Sequence, residues 1–214
     1  MAILSDEDKG QVREMLEDMD EEIDVYVFTT DDCDYCEDTI ELNEEILDLT
    51  DKINFEEHDL DSDLAAEYDA AKYENGPVTV LTREGVSGVT YFGIPSGHEF
   101  SSYLQDLIVV STGETDLEPN IEEALEDVDE EVNIKVFVTP TCPHCPGAVR
   151  TAHDFAVAND NITGEMIESQ EFMELSQEYG VRGVPQININ GTDAQFTGAR
   201  PPQQFLDEVK NALK

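Results

Sequence analysis

The chain carries four cysteines, all of them in two Cys-x-x-Cys pairs: Cys33-Asp34-Tyr35-Cys36 and Cys142-Pro143-His144-Cys145. Thiols three residues apart lie one turn apart once the segment is helical, close enough to bond to each other or to trade a bond with a visiting sulfur. Each pair follows a short apolar run, Val25-Tyr26-Val27-Phe28 or Val136-Phe137-Val138, and precedes residues with helical spacing. The first cysteine of each pair is therefore expected at a helix N-terminus, where the dipole and free N–H groups favour thiolate. Cys33 and Cys142 are the expected attackers. Cys36 and Cys145, a turn deeper, are expected to resolve the mixed disulfide and release product.

Other uses of four cysteines fit less well. A purely structural disulfide closes so short a loop that it removes little entropy from the unfolded chain. A shared four-thiolate zinc site is the stronger rival, but paired zinc knuckles sit roughly 15 to 20 residues apart, far closer than these pairs. No bound metal or cofactor is expected. His58, His98 and His153 have no neighbouring ligand pattern and read as surface or packing residues. Asp38 and Glu122, near expected helix starts, are accounted for by helix-end electrostatics.

The two pairs differ in charge. Asp31, Asp32, Asp34 and Glu37 surround Cys33 and oppose a thiolate there, whereas Cys142 has His144 nearby and no adjacent acid. A more stable thiolate makes the corresponding disulfide the stronger oxidant. The C-terminal pair is thus expected to meet substrates more readily, and the N-terminal pair to be slower or to serve as a relay. Tyr35 and His144 are placed to touch substrate from within their loops; Tyr35 covering the resolving cysteine is the alternative.

The elements that hold these pairs repeat along the chain. Both cysteines of the first pair recur in the second at one offset, and Pro77, Gly93 and Phe100 are matched at nearly that offset by Pro185, Gly198 and Phe205. A repeat of domain size indicates two copies of a fold and not a solenoid. Apolar spacing and turn residues predict helix, strand, helix, strand, helix, strand, strand, helix in each copy. In the first copy these are a helix over 5–19, a strand over 25–29, a helix from Cys33, a strand over 53–57, a helix over 61–73, a strand after Pro77, a turn at Glu84-Gly85, a strand over 89–92 and a helix over 97–110. A linker over 111–119 leads to the second copy, with a helix over 120–128, a strand over 132–138 and a helix from Cys142. Asn190-Gly191 signals a two-residue hairpin between strands 186–189 and 194–197. The expected class is α/β, with a central mixed sheet flanked by helices in each of two domains, 1–114 and 115–214.

Composition narrows the setting. The 214 residues include 51 Asp plus Glu against 11 Lys plus Arg, a formal net charge of −40 spread over both halves. Such self-repulsion strains a compact state in dilute buffer, but at about 1 M salt the screening length falls to roughly 3 Å. A salt-loaded, halophilic cytoplasm is the expected environment. With no basic patch to meet phosphates, nucleic-acid binding is not expected. Met1-Ala2-Ile3-Leu4-Ser5-Asp6-Glu7-Asp8 lacks the basic start and apolar stretch of a secretion signal, and no run is long enough to span a membrane. A cytoplasmic protein is expected, where cysteines stay reduced unless catalytic, metal-bound or redox-sensing.

Three segments carry a resemblance beyond a bare Cys-x-x-Cys: Ile3-Leu4-Ser5-Asp6, Tyr91-Phe92-Gly93-Ile94-Pro95-Ser96-Gly97-His98-Glu99-Phe100, and the stretch from Val136 through Cys142-Pro143-His144-Cys145 to Pro146. With these the chain resembles, over nearly its whole length, the archaeal protein disulfide oxidoreductases, which are tandem thioredoxin-fold, glutaredoxin-like proteins. The resemblance implies two active pairs that reduce, form or isomerise disulfides in protein substrates, and a thioredoxin-reductase-like flavoprotein as electron donor. It also implies cis peptide bonds at Gly76-Pro77 and Val184-Pro185. A strand-opening proline that faces the cysteines leaves the preceding backbone free to pair with an extended substrate, so Gly76, Pro77, Val184, Pro185 and His144 are the expected substrate-binding residues. An ordinary strand-edge proline is the plainer alternative. A glutaredoxin-like reductant of a small disulfide or a peroxidase, and a non-catalytic redox-sensing scaffold, remain the other functions to separate by assay.

Overall fold

Helix α1 begins with a capping box: Ser5 Oγ accepts from the Asp8 N–H while the Asp8 carboxylate accepts from the Ser5 N–H, and the helix runs Asp6–Leu16. The computed structural model describes residues 3–84 and 86–214. Met1, Ala2 and the glycine of the expected Glu84-Gly85 turn lie outside the described residues. After α1 come β1 (Ile23–Thr29), α2 (Cys36–Leu47), β2 (Ile53–Asp59), α3 (Asp63–Glu67), a 3-10 turn (Ala70–Tyr73), β3 (Val78–Arg83), β4 (Val86–Phe92) and α4 (Glu99–Thr112). The second half follows with α5 (Pro119–Glu126), β5 (Val132–Val138), α6 (Cys145–Ala158), β6 (Ile162–Glu168), α7 (Met173–Glu178), β7 (Gln186–Ile189), β8 (Ala194–Thr197) and α8 (Pro202–Ala212).

The order of elements is the expected one in both halves, with four local differences. The helices at the cysteine pairs start at Cys36 and Cys145, so Cys33 and Cys142 stand in the loops ahead of the first turn. The single helix expected over 61–73 is broken, because Asp69 takes a left-handed φ of 53° between α3 and the 3-10 turn. Helix α4 continues to Thr112 and stops at Gly113 with φ 71°, a left-handed cap that shortens the linker. Asn190 and Gly191 do take positive φ, but Ile189 pairs with Ala194, so the hairpin loop has four residues and not two.

The larger difference is in the sheet. Each half supplies the mixed sheet expected of it, and what was not foreseen is that the two join, all eight strands forming one sheet in the order β2-β1-β3-β4-β6-β5-β7-β8. The halves join where β4 and β6 run parallel, from Val89 opposite Gly164 to Phe92 opposite Ile167. The reason is visible in β4: Val89, Tyr91 and Phe92 are fully buried, and a strand apolar on both faces needs its outer edge covered. Gly88 permits the close approach, since it takes φ 95° and a Cβ there would meet the Ile162 carbonyl of β6 at 2.9 Å.

Two cores result. One sheet face carries α1, α2, α4, α5, α6 and α8 through Leu16, Leu42, Leu107, Leu125, Phe155 and Phe205. The other is covered by α3, the 3-10 turn and α7, with Phe28, Phe92, Phe137 and Phe172 in its core. The strands β1, β4, β6 and β5 run in the same direction, so both cysteine loops emerge at the same edge of the sheet and on the same helical face. Four strand positions separate β1 from β5, about 19 Å at ~4.8 Å per strand. That span is far too wide for one zinc ion to hold both pairs with bonds of about 2.3 Å. No helix among the described residues is long and apolar enough to cross a membrane.

Candidate redox sites

Each cysteine pair is closed as a disulfide, with Cα atoms 5.6 Å apart for Cys33–Cys36 and 5.5 Å for Cys142–Cys145. The geometry follows from chain direction: a buried strand ends, a short loop turns, and the helix takes up its first residue at the second cysteine. Cys36 and Cys145 are buried, at 6% and 0% exposure. The outer sulfurs differ, since Cys33 is half-buried whereas Cys142 is only 8% exposed. Accessibility therefore ranks the sites opposite to the charge argument. Of the surrounding acids, Asp31, Asp32, Asp34 and Glu37 are all exposed, as is His144 at the α6 N-cap, which makes no side-chain capping bond. Asp38 and Glu122 lie in the first turns of α2 and α5, as helix-end electrostatics requires.

Both proline bonds are cis, Gly76-Pro77 and Val184-Pro185. Strand register gives the two prolines one placement. Val78 pairs with Phe28 in β1 and Gln186 pairs with Phe137 in β5, which sets Pro77 beside Thr29 and Pro185 beside Val138, each at the strand end that feeds its cysteine loop. The carbonyls of the prolines accept matching bonds from Gly93 and Gly198, both 2.8 Å. At the N-terminal site the approach is close: a Cβ on Gly76 would lie 3.5 Å from Cys36 Sγ. At the C-terminal site Val184 packs against the cluster that contains Cys142 and Cys145.

A cleft of about 310 Å³ opens beside the N-terminal pair, lined by Asp34, Tyr35 and Gly76, by Pro140 of the other cysteine loop, and by Glu168 and Glu171. Tyr35 is 44% exposed and borders the cleft. Burial pushes the Glu171 carboxyl up to about 8, with the charges of Glu168 and Asp34 adding to it. Its Oε1 accepts from the Ile94 N–H at 3.0 Å, while Oε2 is buried without a hydrogen-bond partner among the described residues. Burial also raises Glu168, against the pull of the Gln170 and Glu171 N–H groups that its Oε2 accepts. The two halves touch directly here. His98 N–H donates to the Pro140 carbonyl at 3.0 Å, and Gly97, at φ 62°, passes so near that a Cβ would lie 2.3 Å from that oxygen.

Behind this junction α4 and α6 share a buried polar web. Glu99, 1% exposed, is pushed up to about 8 by burial, against the pull of the Ser102 side chain. Asp106 accepts from the Tyr91 hydroxyl and faces His153 Nδ1 at 2.6 Å. His153 is a packing residue, as expected, although with an ionic partner that the sequence pattern did not reveal. His58 is likewise paired locally, 3.0 Å from Glu56. Asn75, Pro140, Glu168 and Glu171 escaped the sequence reading. Acids occur throughout this chain, so the glutamates carried no signal; Asn75, directly before the Gly-Pro step, was the one open to detection.

A thioredoxin-domain family model matches residues 132–211, from the first residue of β5 into α8. The crystal structure of a protein disulfide oxidoreductase from Aeropyrum pernix superposes with a TM-score of 0.85 at 31% identity, covering 96% of this chain and 92% of that one. The structure of the alkylhydroperoxide reductase component AhpF from Enterococcus faecalis reaches the same TM-score of 0.85 at 23% identity, covering 96% of this chain and 99% of that one, a likeness of fold alone. Among curated sequences, the corresponding component of the alkyl hydroperoxide reductase of Staphylococcus aureus is 27% identical over 186 residues, which are 86% of this chain and 34% of that protein. The chain spans about a third of the length of the curated relatives it matches.

Proposed function

The chain belongs to the thioredoxin-fold protein disulfide oxidoreductases, and from that premise we propose that it exchanges disulfides with other proteins at both Cys33–Cys36 and Cys142–Cys145. The observation that carries this reading is the shared constellation: an outer cysteine in the loop ahead of a helix, an inner one at its first residue, and a cis-proline at the adjacent strand end. In the reducing direction the outer thiolate attacks a substrate disulfide, one substrate sulfur leaves as a thiol after taking a proton, and a mixed disulfide forms. The inner thiol then loses its proton and displaces the second substrate sulfur. The pair ends oxidised, and two electrons have passed to the substrate. Oxidation of a substrate dithiol is the same sequence reversed. Gly76, Pro77, Val184 and Pro185 would hold an extended substrate segment, and His144 would border it at the C-terminal site. A thioredoxin-reductase-like flavoprotein would return the oxidised pairs to dithiols.

The decisive experiment is insulin-disulfide reduction by the wild-type chain with dithiothreitol as electron source, followed by trapping with Cys36→Ser and Cys145→Ser. The reading expects catalysis above dithiothreitol alone and mixed disulfides at Cys33 and Cys142; no catalysis and no trapped species would reject it. The alkyl hydroperoxide reductase relatives favour one second reading, that the chain supplies electrons to a peroxidase. Peroxide-dependent turnover with a peroxidase, absent with insulin, would establish that instead. The same proposal includes a division into two thioredoxin-like units at residues 114 and 115, and residence in the cytoplasm of a salt-loaded cell. Loss of the circular-dichroism signal as salt is diluted supports the halophilic setting; undiminished stability in dilute buffer would remove it.

A further inference from the structure

The residue before each cis-proline is treated differently in the two halves. At the N-terminal site the Gly76 N–H is already taken: it donates to Asn75 Oδ1 at 3.0 Å. The other end of the same carboxamide is also held, since Asn75 Nδ2 donates to the Glu171 carbonyl at 3.1 Å. The orientation of the amide is set by these partners, because a backbone N–H only donates and a carbonyl only accepts. Pro77 has no N–H of its own, so Gly76 supplies the backbone donor beside Cys36. At the C-terminal site the matching tripeptide is Gly183-Val184-Pro185. Glycine has no side chain to fold back, and among the described residues the Val184 N–H has no protein partner.

We propose that Asn75 is a specificity-determining residue: its side chain occupies the backbone donor with which a substrate strand would pair, so that the N-terminal site admits only protein substrates able to displace it. The proposal rests on the reading above, in which the residue before the cis-proline pairs with substrate. The capping carboxamide competes with substrate for one N–H, and one hydrogen bond exchanged for another changes affinity by about 5-fold. The tether to Glu171 brings the second half into the latch, because Glu171 follows β6 and also binds the Ile94 N–H.

The contrast can be reversed in both directions. In a Cys142→Ser/Cys145→Ser background, where only the N-terminal pair turns over, Asn75→Ala is expected to lower KM for a disulfide-bonded protein such as insulin. The ratio of its kcat/KM to that for 5,5′-dithiobis(2-nitrobenzoate), a small disulfide with no peptide strand, should rise about 5-fold. In the converse background, Cys33→Ser/Cys36→Ser, Gly183→Asn should lower that ratio by a similar factor. Space for the new side chain exists, as a Cβ on Gly183 would meet nothing within 4 Å. Amide hydrogen exchange gives a readout independent of activity: the Gly76 N–H should exchange several-fold faster in Asn75→Ala than in the parent. Equal exchange rates, or a protein-to-small-disulfide ratio unmoved in both variants, would overturn the proposal. No turnover of either substrate by the parental N-terminal pair would overturn the reading beneath it as well.

Discussion

The two cysteine pairs share one geometry and diverge in surroundings. Cys33 is the more open sulfur, yet it stands among four exposed acids, beside a cleft walled by Glu168 and Glu171, and next to a capped backbone donor. Cys142 is more covered, but its loop has no adjacent acid and, among the described residues, the N–H before its proline is uncapped. Exposure of a nucleophile and readiness to react are therefore separate quantities here. A sulfur is reached by a substrate only if the charge, the strand-pairing groups and the opening all permit it.

Removing the sulfurs gives the largest effect. Cys33→Ser/Cys142→Ser together should lower insulin turnover by ~10³-fold or more, as for loss of a nucleophile. Of the single variants, Cys142→Ser should lose the larger share; if Cys33→Ser loses more, exposure outweighs charge and capping, and the ranking of the sites is reversed. Gly97→Ala probes the contact that props the C-terminal loop. A Cβ at φ 62° would collide with the Pro140 carbonyl, and strain of this kind costs about 1–3 kcal/mol. At about 2–4 °C per kcal/mol for a chain of this size, the midpoint of thermal unfolding should drop by roughly 2–12 °C. Turnover at Cys142 should fall more than turnover at Cys33, and equal losses would mean that the contact supports the fold without favouring one site.

Acidity makes a third comparison. Glu99 and Glu171 are raised to about 8 and Asp154 to about 7, in each case chiefly by burial, so their protonated forms are favoured by folding. A carboxyl raised in this way contributes stability that is complete below its unfolded value and is lost as pH rises through its folded one. Glu45 and Glu165, which are lowered, act in the opposite sense and only in acid. Between about pH 5 and pH 9 at constant high salt, the unfolding midpoint should therefore decline. Glu171→Gln and Glu99→Gln should each flatten that decline; an unchanged slope in both would assign it elsewhere. The smallest effect expected is a few-fold difference in alkylation of the reduced protein, with Cys142 modified from lower pH than Cys33. Raising salt to about 1 M should shrink the gap, since the acids around Cys33 act through solvent.

Much of this was legible residue by residue. The strand periodicities and the two Cys-x-x-Cys pairs are local patterns, and the structure carries each of them where the pattern lay. Helix ends were less legible: Asp69 adopts a left-handed conformation that its side chain does not announce. The parallel pairing of β4 with β6 was out of reach, because an apolar strand shows that its edge needs covering without naming what covers it.

The four sulfurs, their pairing and their charged neighbours are set by the order of amino acids, since each depends on residues a few positions apart, whereas the prolines are brought beside them by pairing between distant strands. Which groups meet across the molecule was decided by tertiary structure. Fusing the halves into one sheet brings Pro140 to Gly97 and Glu171 to Asn75, contacts between segments far apart in the chain. Those contacts shape the cleft, shift the buried carboxyls and tether the Asn75 carboxamide that caps the Gly76 N–H. They arise from close packing and from the need of buried polar groups for partners, which no local pattern encodes.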